Sequence, residues 1–277
     1  MKTLLVCTDF SEPATHAASY ACMLASQYKL PYITLFHAWH DVPVTATTPP
    51  LDTNLNDEEA KASLQQLKDL KDRLGNLTDK NTMIRIRSEK MSLAENINQL
   101  CKEENADIVV MGVSGKSKLE KAFIGSNTVN VSRTSKYPVL IVPAKAPLQP
   151  VSHIVFACDL DEVQATTPLD PLNRIMELFH SASLTILNAD SKNRHFSPQT
   201  PEEMYQMHHI FDKFKPKYAF IDSKDKAEGI MDYAERNNIS LIITVPKNYN
   251  FLQQLFHSST TKELIYKSAV PLLTLHE

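Results

Sequence analysis

Glycine is scarce in this chain, with five in 277 residues. So few cannot serve every turn, and each one asks for a reason. Cysteine is scarce too: the four, Cys7, Cys22, Cys101 and Cys158, include no C-x-x-C pair. That argues against a disulfide framework or a thiolate metal site and leaves small apolar residues of a reduced, cytoplasmic protein. No apolar run approaches the roughly 18 residues that span a membrane. The opening stretch MKTLLVCTDFSEP reaches Asp9 and Pro13 too early for a signal peptide. Excess charge is also lacking. A net charge of −3 provides no electrostatic case for DNA or RNA as a partner.

What is present is an alternation of short β-branched runs with amphipathic segments. Strands are expected at Lys2–Cys7, Tyr32–His37, Thr82–Arg87, Ile108–Met111 and Val139–Val142. Helices are expected at Ser11–Tyr28, Asp57–Gly75, Ser92–Asn105 and Ser126–Ser135, the third started by a capping box, Ser92-Leu-Ala-Glu95. Such alternation predicts an α/β fold of parallel strands with helices on both faces. The polar, proline-bearing span from Trp39 to about Asn56 reads as a lid or a contact arm.

The pattern then starts again. Strands are expected at Val151–Cys158, Ser183–Leu187, Tyr218–Ile221, Leu241–Val245 and Val270–Leu275. Helices are expected near Thr167–His180, Pro201–Phe214, Asp225–Asn237 and Ser259–Lys267. The halves superpose at a single offset of 133, which lays Pro138 over Pro271 and Ile108-Val109-Val110 over Leu241-Ile242-Ile243. The chain therefore reads as an internal duplication, residues 1–144 and 151–277, joined by the proline-containing stretch AKAPLQP.

Gly112, Gly115 and Gly125 all fall in Met111–Thr128, MGVSGKSKLEKAFIGSNT. Met111 ends an apolar strand, so Gly112 is expected to begin the turn beyond the carboxyl edge, where open α/β sheets bind ligands. Gly112 and Gly115 can take positive φ and let a ligand approach the backbone, while Gly125 and Ser126 open a helix whose N–H groups favour an anion. Ser126 and Thr128 add hydroxyls, so the window describes a phosphate cradle. At the offset of 133 the three glycines become Val245, Asn248 and Ser258. The fold can dispense with those glycines in the second half, so in the first they are expected to serve a ligand. A P-loop is disfavoured: Gly112 and Gly115 stand three apart rather than five, and Lys116 is no Walker lysine. Lys116, Lys118 and Lys121 either attract phosphate or form a solvated basic face.

At this point the residues resemble a family. G-x2-G-x9-G-[ST] after a strand is similar to the nucleotide-binding signature of universal stress proteins, met here by Gly112, Gly115, Gly125 and Ser126. Val6-Cys7-Thr8-Asp9-Phe10-Ser11 and Pro138-Val139-Leu140-Ile141-Val142 add to the likeness, which covers residues 1–144 and, more weakly, 151–277. The resemblance implies two tandem doubly wound, Rossmann-like domains, each with a five-stranded parallel sheet, packed as a pseudo-dimer, with further pairing of two chains possible. It implies ATP, ADP or AMP as ligand of the first domain, with Mg²⁺ accompanying a triphosphate. Asp9 would sit by the nucleoside, the backbone near Ala38 by the adenine, and Gly112, Gly115, Lys116, Gly125, Ser126, Asn127 and Thr128 around the phosphates. Asn127 departs from the small apolar residue usual at its position.

Asp9 has a second reading as cap of the first helix, and both roles can coexist. His37-Ala-Trp-His40-Asp41 suggests a metal only weakly, since a strand end does not converge those side chains. With no evident general base or set of metal carboxylates, the expected function is nucleotide binding or sensing in a stress response, with at most slow ATP hydrolysis. The alternatives are a weak ATPase and a scaffold that has lost its nucleotide.

Overall fold

A computed structural model describes residues 1–39, 54–113, 126–158, 160, 162–190, 200–245 and 270–276. Gly115, Lys116, Lys118, Lys121, Gly125, His40, Asp41, Asp159, Asn248, Ser258 and the helix expected at Ser259–Lys267 lie outside these residues, as does most of the span from Trp39 to Asn56.

The amino half alternates as expected. It runs β1 (Thr3–Cys7), α1 (Glu12–Tyr28), β2 (Tyr32–Trp39), α2 (Asn54–Leu74), β3 (Met83–Lys90), α3 (Leu93–Glu104), β4 (Ile108–Val113), α4 (Ser126–Thr134) and β5 (Val139–Pro143). The second half follows as β6 (His153–Ala157), α5 (Val163–Thr166), α6 (Leu169–Leu178), β7 (Ser183–Asp190), α7 (Thr200–Phe211), β8 (Lys217–Asp222), α8 (Lys226–Arg236), β9 (Leu241–Thr244) and β10 (Leu272–Thr274). Among the described residues, no helix is long and apolar enough to cross a membrane.

Ten strands form one sheet in the order β3-β2-β1-β4-β5-β10-β9-β6-β7-β8. Each half is internally parallel, and the two orders mirror each other about the centre. The halves meet through an antiparallel pair, Leu272 opposite Ile141 and Thr274 opposite Val139. Thus the two strands that would be inner edges cover each other, which removes two exposed ladders of unpaired backbone groups.

Strand alternation explains how both sheet faces are buried. Leu4 and Val6 enter the apolar cluster beneath α1 and α2, while Leu5 and Cys7 enter the one beneath α3. Buried parallel strands need apolar residues on both faces, which is why β1 and β4 read as unbroken apolar runs.

Register tests the duplication. Val109 lies opposite Val139, and 133 positions on Ile242 lies opposite Leu272. The single offset fails earlier in the chain. Cys7 lies opposite Phe36, and its counterpart is Ala157 opposite Leu187, shifts of 150 and 151. The difference arises between the second and third strands of each half, where α2 has 21 residues and α7 has 12.

The helix expected near Thr167–His180 forms as α6, with Pro168 at its N-cap and a short further helix, α5, before it. Proline has no N–H to donate and its ring crowds the preceding turn, so it ends one helix and begins another. Ser92 does precede α3, but its hydroxyl makes no capping bond. Instead its carbonyl accepts from the Asn96 backbone N–H at 3.2 Å and from the Asn96 amide at 2.9 Å.

Helix α1 also grips the start of the second half. The Gln27 amide donates to Val151 O and accepts from Val151 N, each at 2.9 Å. The Tyr28 hydroxyl donates to the same carbonyl, and its ring meets Phe179 edge-on at 5.2 Å. Nearer the start of α1, His16 Nε2 donates to Ala146 O at 2.7 Å. Gln27→Ala leaves the buried Val151 N–H without this partner, and we expect a loss of about 2 kcal/mol in unfolding free energy, measured by urea titration. An unchanged midpoint would mean the clamp contributes nothing.

Candidate functional site

The carboxyl ends of β1 and β4 are adjacent, since Cys7 lies opposite Met111. After β1 the chain turns sharply into α1. Thr8 N–H donates to Phe36 O at 2.9 Å, which still belongs to the ladder. The Phe10 N–H then donates to Thr8 Oγ1 at 3.0 Å, and Phe10 takes φ 63°, an unusual value for a residue with a bulky side chain.

Asp9 protrudes from this turn and is exposed. Its Oδ1 accepts from the Ser11 N–H at 3.1 Å and from the Ser11 hydroxyl at 2.6 Å. The cap of α1 is therefore Ser11, whose Oγ accepts from Ala14 N–H at 3.4 Å, with Asp9 holding the capping hydroxyl from behind. A direct capping role for Asp9 is thus corrected: it acts on the helix through Ser11.

Between this turn and the start of α4 lies a cleft of about 350 Å³, within the range of small-molecule sites. Its apolar wall comes from the buried sheet face and from α3: Cys7, Phe36, Met111 and Leu93. Its rim carries Thr8, Asp9 and Ser11 from the first turn, Ala38 from β2, and Asn127 and Thr128 from the first turn of α4. Burial, with Cys101 nearby, pushes the Cys7 thiol far above its ordinary range, so it is an uncharged apolar group rather than a nucleophile. Thr128 is buried, and its hydroxyl donates to Gly112 O at 3.3 Å. The other end of α4 is tied to α3, where Asn98 donates to Thr134 O at 2.9 Å and the Thr134 hydroxyl donates to Ala94 O at 2.9 Å. Those bonds fix the direction in which α4 presents its positive end.

Five of the expected site residues, Asp9, Ala38, Gly112, Asn127 and Thr128, thus line one cleft. Ser126 begins α4, and Gly115, Lys116 and Gly125 lie outside the described residues. The sequence reading did not single out Thr8, Ser11, Phe36, Leu93 or Met111 as lining. Thr8 and Ser11 flank Asp9, which was a usable signal. The apolar ones carried no mark that separates a pocket wall from a core.

Gly112 needs a different explanation from the expected one. It lies inside β4 opposite Val142, and no described glycine has positive φ. A Cβ on Gly112 would overlap the Pro13 carbonyl oxygen and stand 2.5 Å from its carbon and 2.8 Å from Ala14 N. The missing side chain lets the first turn of α1 lie directly on β4. In the second half the matching position is Val245, and the helix that follows β6 is the broken pair α5 and α6. His37, weighed earlier for a metal, is engaged otherwise: Nδ1 lies 2.7 Å from Thr8 O. No cluster of three metal-binding side chains occurs among the described residues.

The chain is similar to known proteins in sequence and in fold. The sequence pattern of the universal stress protein family matches residues 1–143. The universal stress protein Slr1230 of Synechocystis sp. is 24% identical over 302 aligned positions, covering 99% of each chain. The universal stress protein MJ0531 of Methanocaldococcus jannaschii is 26% identical over 148 positions, covering 51% of this chain and 81% of the relative. A crystal structure of a universal stress protein from Archaeoglobus fulgidus superposes with a TM-score of 0.72 at 16% identity, covering 99% of this chain and 98% of the other. That last likeness concerns the fold, and it extends over both halves.

Proposed function

Because the chain belongs to the universal stress protein family, we propose that its amino half binds an adenine nucleotide, ATP or its di- or monophosphate, as a sensing module of a stress response. The observation that carries this reading is convergence. Asp9, Ala38, Gly112, Asn127 and Thr128 come from four separate stretches of sequence and line the same cleft at the carboxyl edge of β1 and β4. The apolar wall of Phe36, Leu93 and Met111 suits a base, the carboxylate of Asp9 suits a ribose hydroxyl, and the start of α4 suits phosphate oxygens. Gly115, Lys116, Gly125 and Ser126 complete the cradle in this reading.

Asp9 is the one carboxylate among the described residues of the cleft. That donor set fits Mg²⁺ carried on the phosphates, where the ion keeps most of its waters and takes one or two carboxylates, rather than an ion caged by protein. Bound so, Mg²⁺ would neutralise phosphate charge. Asp9 is also the only described lining side chain with the chemistry of a general base, because the Cys7 thiol is held neutral. This supports a binding module whose hydrolysis is at most slow. The division into residues 1–144 and 151–277 belongs to the same proposal, supported by the mirrored strand order, as does a cytoplasmic location suited to free cysteines.

Titration calorimetry of the purified chain with ATP, ADP and AMP, with and without Mg²⁺, tests the reading. One site per chain is expected, with phosphate release no faster than from a Gly115→Val control. Absence of heat for all three nucleotides, together with native mass spectrometry showing no retained small molecule, would leave a scaffold that binds none.

A further inference from the structure

We propose that His37 is the positioning residue of the turn that carries Asp9. Its effect on ligand affinity rests on the nucleotide reading above, while its effect on the turn does not.

Both backbone groups of Thr8 are held by β2. The Thr8 N–H donates to Phe36 O, and the Thr8 carbonyl accepts from His37 Nδ1 at 2.7 Å. A carbonyl oxygen can only accept, so Nδ1 carries the proton and the neutral ring has its lone pair on Nε2. The Phe10 ring also rests against the imidazole, with centroids 4.5 Å apart. Thr8 is buried. The imidazole thus secures the residue before Asp9 by a hydrogen bond and the residue after it by ring contact. Asp9 is left free to project only as the turn allows.

The second half repeats the arrangement with different chemistry. Cys158 N–H donates to Leu187 O at 2.9 Å, and the Asn188 amide donates to Cys158 O at 3.0 Å. Asn188 occupies the place of His37, since Phe36 and Leu187 hold matching positions opposite the ends of β1 and β6. Leu160, in the place of Phe10, has φ 54° against 63°. The same carbonyl is held by an N–H in both halves, beside the same left-handed residue, although imidazole and carboxamide share nothing else. What the turn requires is a donor at that point, and the internal copy names the substitute.

The experiment compares the full-length chain with His37→Ala and His37→Asn. Amide hydrogen exchange at Phe10 and Ser11 reads the turn, and calorimetry with ATP reads affinity. His37→Ala is expected to speed both exchange rates and weaken ATP binding about three- to tenfold, the worth of one hydrogen bond. His37→Asn is expected to restore both towards wild type. If the alanine variant matches wild type, or the asparagine variant is as impaired as alanine, the proposal fails. A measurement without any variant is also decisive: the imidazole ¹⁵N shifts of neutral His37 must show the proton on Nδ1, and the opposite tautomer would overturn the proposal. If wild type binds no ATP, the nucleotide reading falls, while exchange and tautomer still decide the role of His37.

Discussion

Gly112→Val is expected to lower the unfolding free energy by about 3 kcal/mol and, on the nucleotide reading proposed above, to remove ATP binding with it. The cause is backbone against backbone. The new Cβ would overlap Pro13 O and lie 2.5 Å and 2.8 Å from Pro13 C and Ala14 N. Main-chain atoms of a helix cannot rotate aside as a flexible side chain can, so α1 must shift as a body. It is not free to do so, because Gln27 and Tyr28 fasten its far end to Val151. Whatever movement is achieved displaces Ser11, and with it the hydroxyl that Asp9 holds. Gly112→Ala carries the same Cβ and should cost nearly as much. Urea titration of both variants checks this, and an alanine variant with an unchanged midpoint would disprove the steric account.

Asp9→Ala is expected to weaken ATP binding by about 10- to 100-fold, the range for losing a charged hydrogen-bond partner. The difficulty is that Asp9 serves its own turn as well, through the Ser11 N–H and hydroxyl. Asp9→Asn separates the two functions. Its amide oxygen still accepts from Ser11, so stability should stay near wild type, whereas the charge that would face a ribose or Mg²⁺ is gone. Calorimetry and thermal unfolding on the three proteins distinguish the outcomes. Wild-type affinity in the asparagine variant would make Asp9 a structural residue only.

Much of the amino half was legible because local chemistry and tertiary demand agree there. Pro13 at the start of α1 behind Ser11 and apolar runs for strands buried on both faces each point to the element that forms. The carboxyl edge was legible as the candidate site because strand alternating with helix admits few topologies. The roles of individual residues were less so. Gly112 was singled out for its scarcity and expected to take positive φ in a turn, whereas it lies inside β4 without it, because a spacing pattern cannot report that another segment's carbonyl occupies the space. Phe10 and Leu160 carry no mark of left-handed backbone. Histidine at position 37 and asparagine at 188 look unrelated until the register sets them on the same bond.

By itself, then, the order of residues determined the class of fold, the duplication, the strands of both halves and the edge at which a ligand would sit. These follow from periodicity and from turn and cap chemistry, which act over a few neighbours. The tertiary structure alone decided that Ile141 meets Leu272 in an antiparallel seam, that α1 lies close enough on β4 to demand glycine, and that one imidazole holds the Asp9 turn. Each of these is a contact between segments far apart in the chain, set by how closely surfaces approach after folding, and distance of that kind is not written in any local pattern.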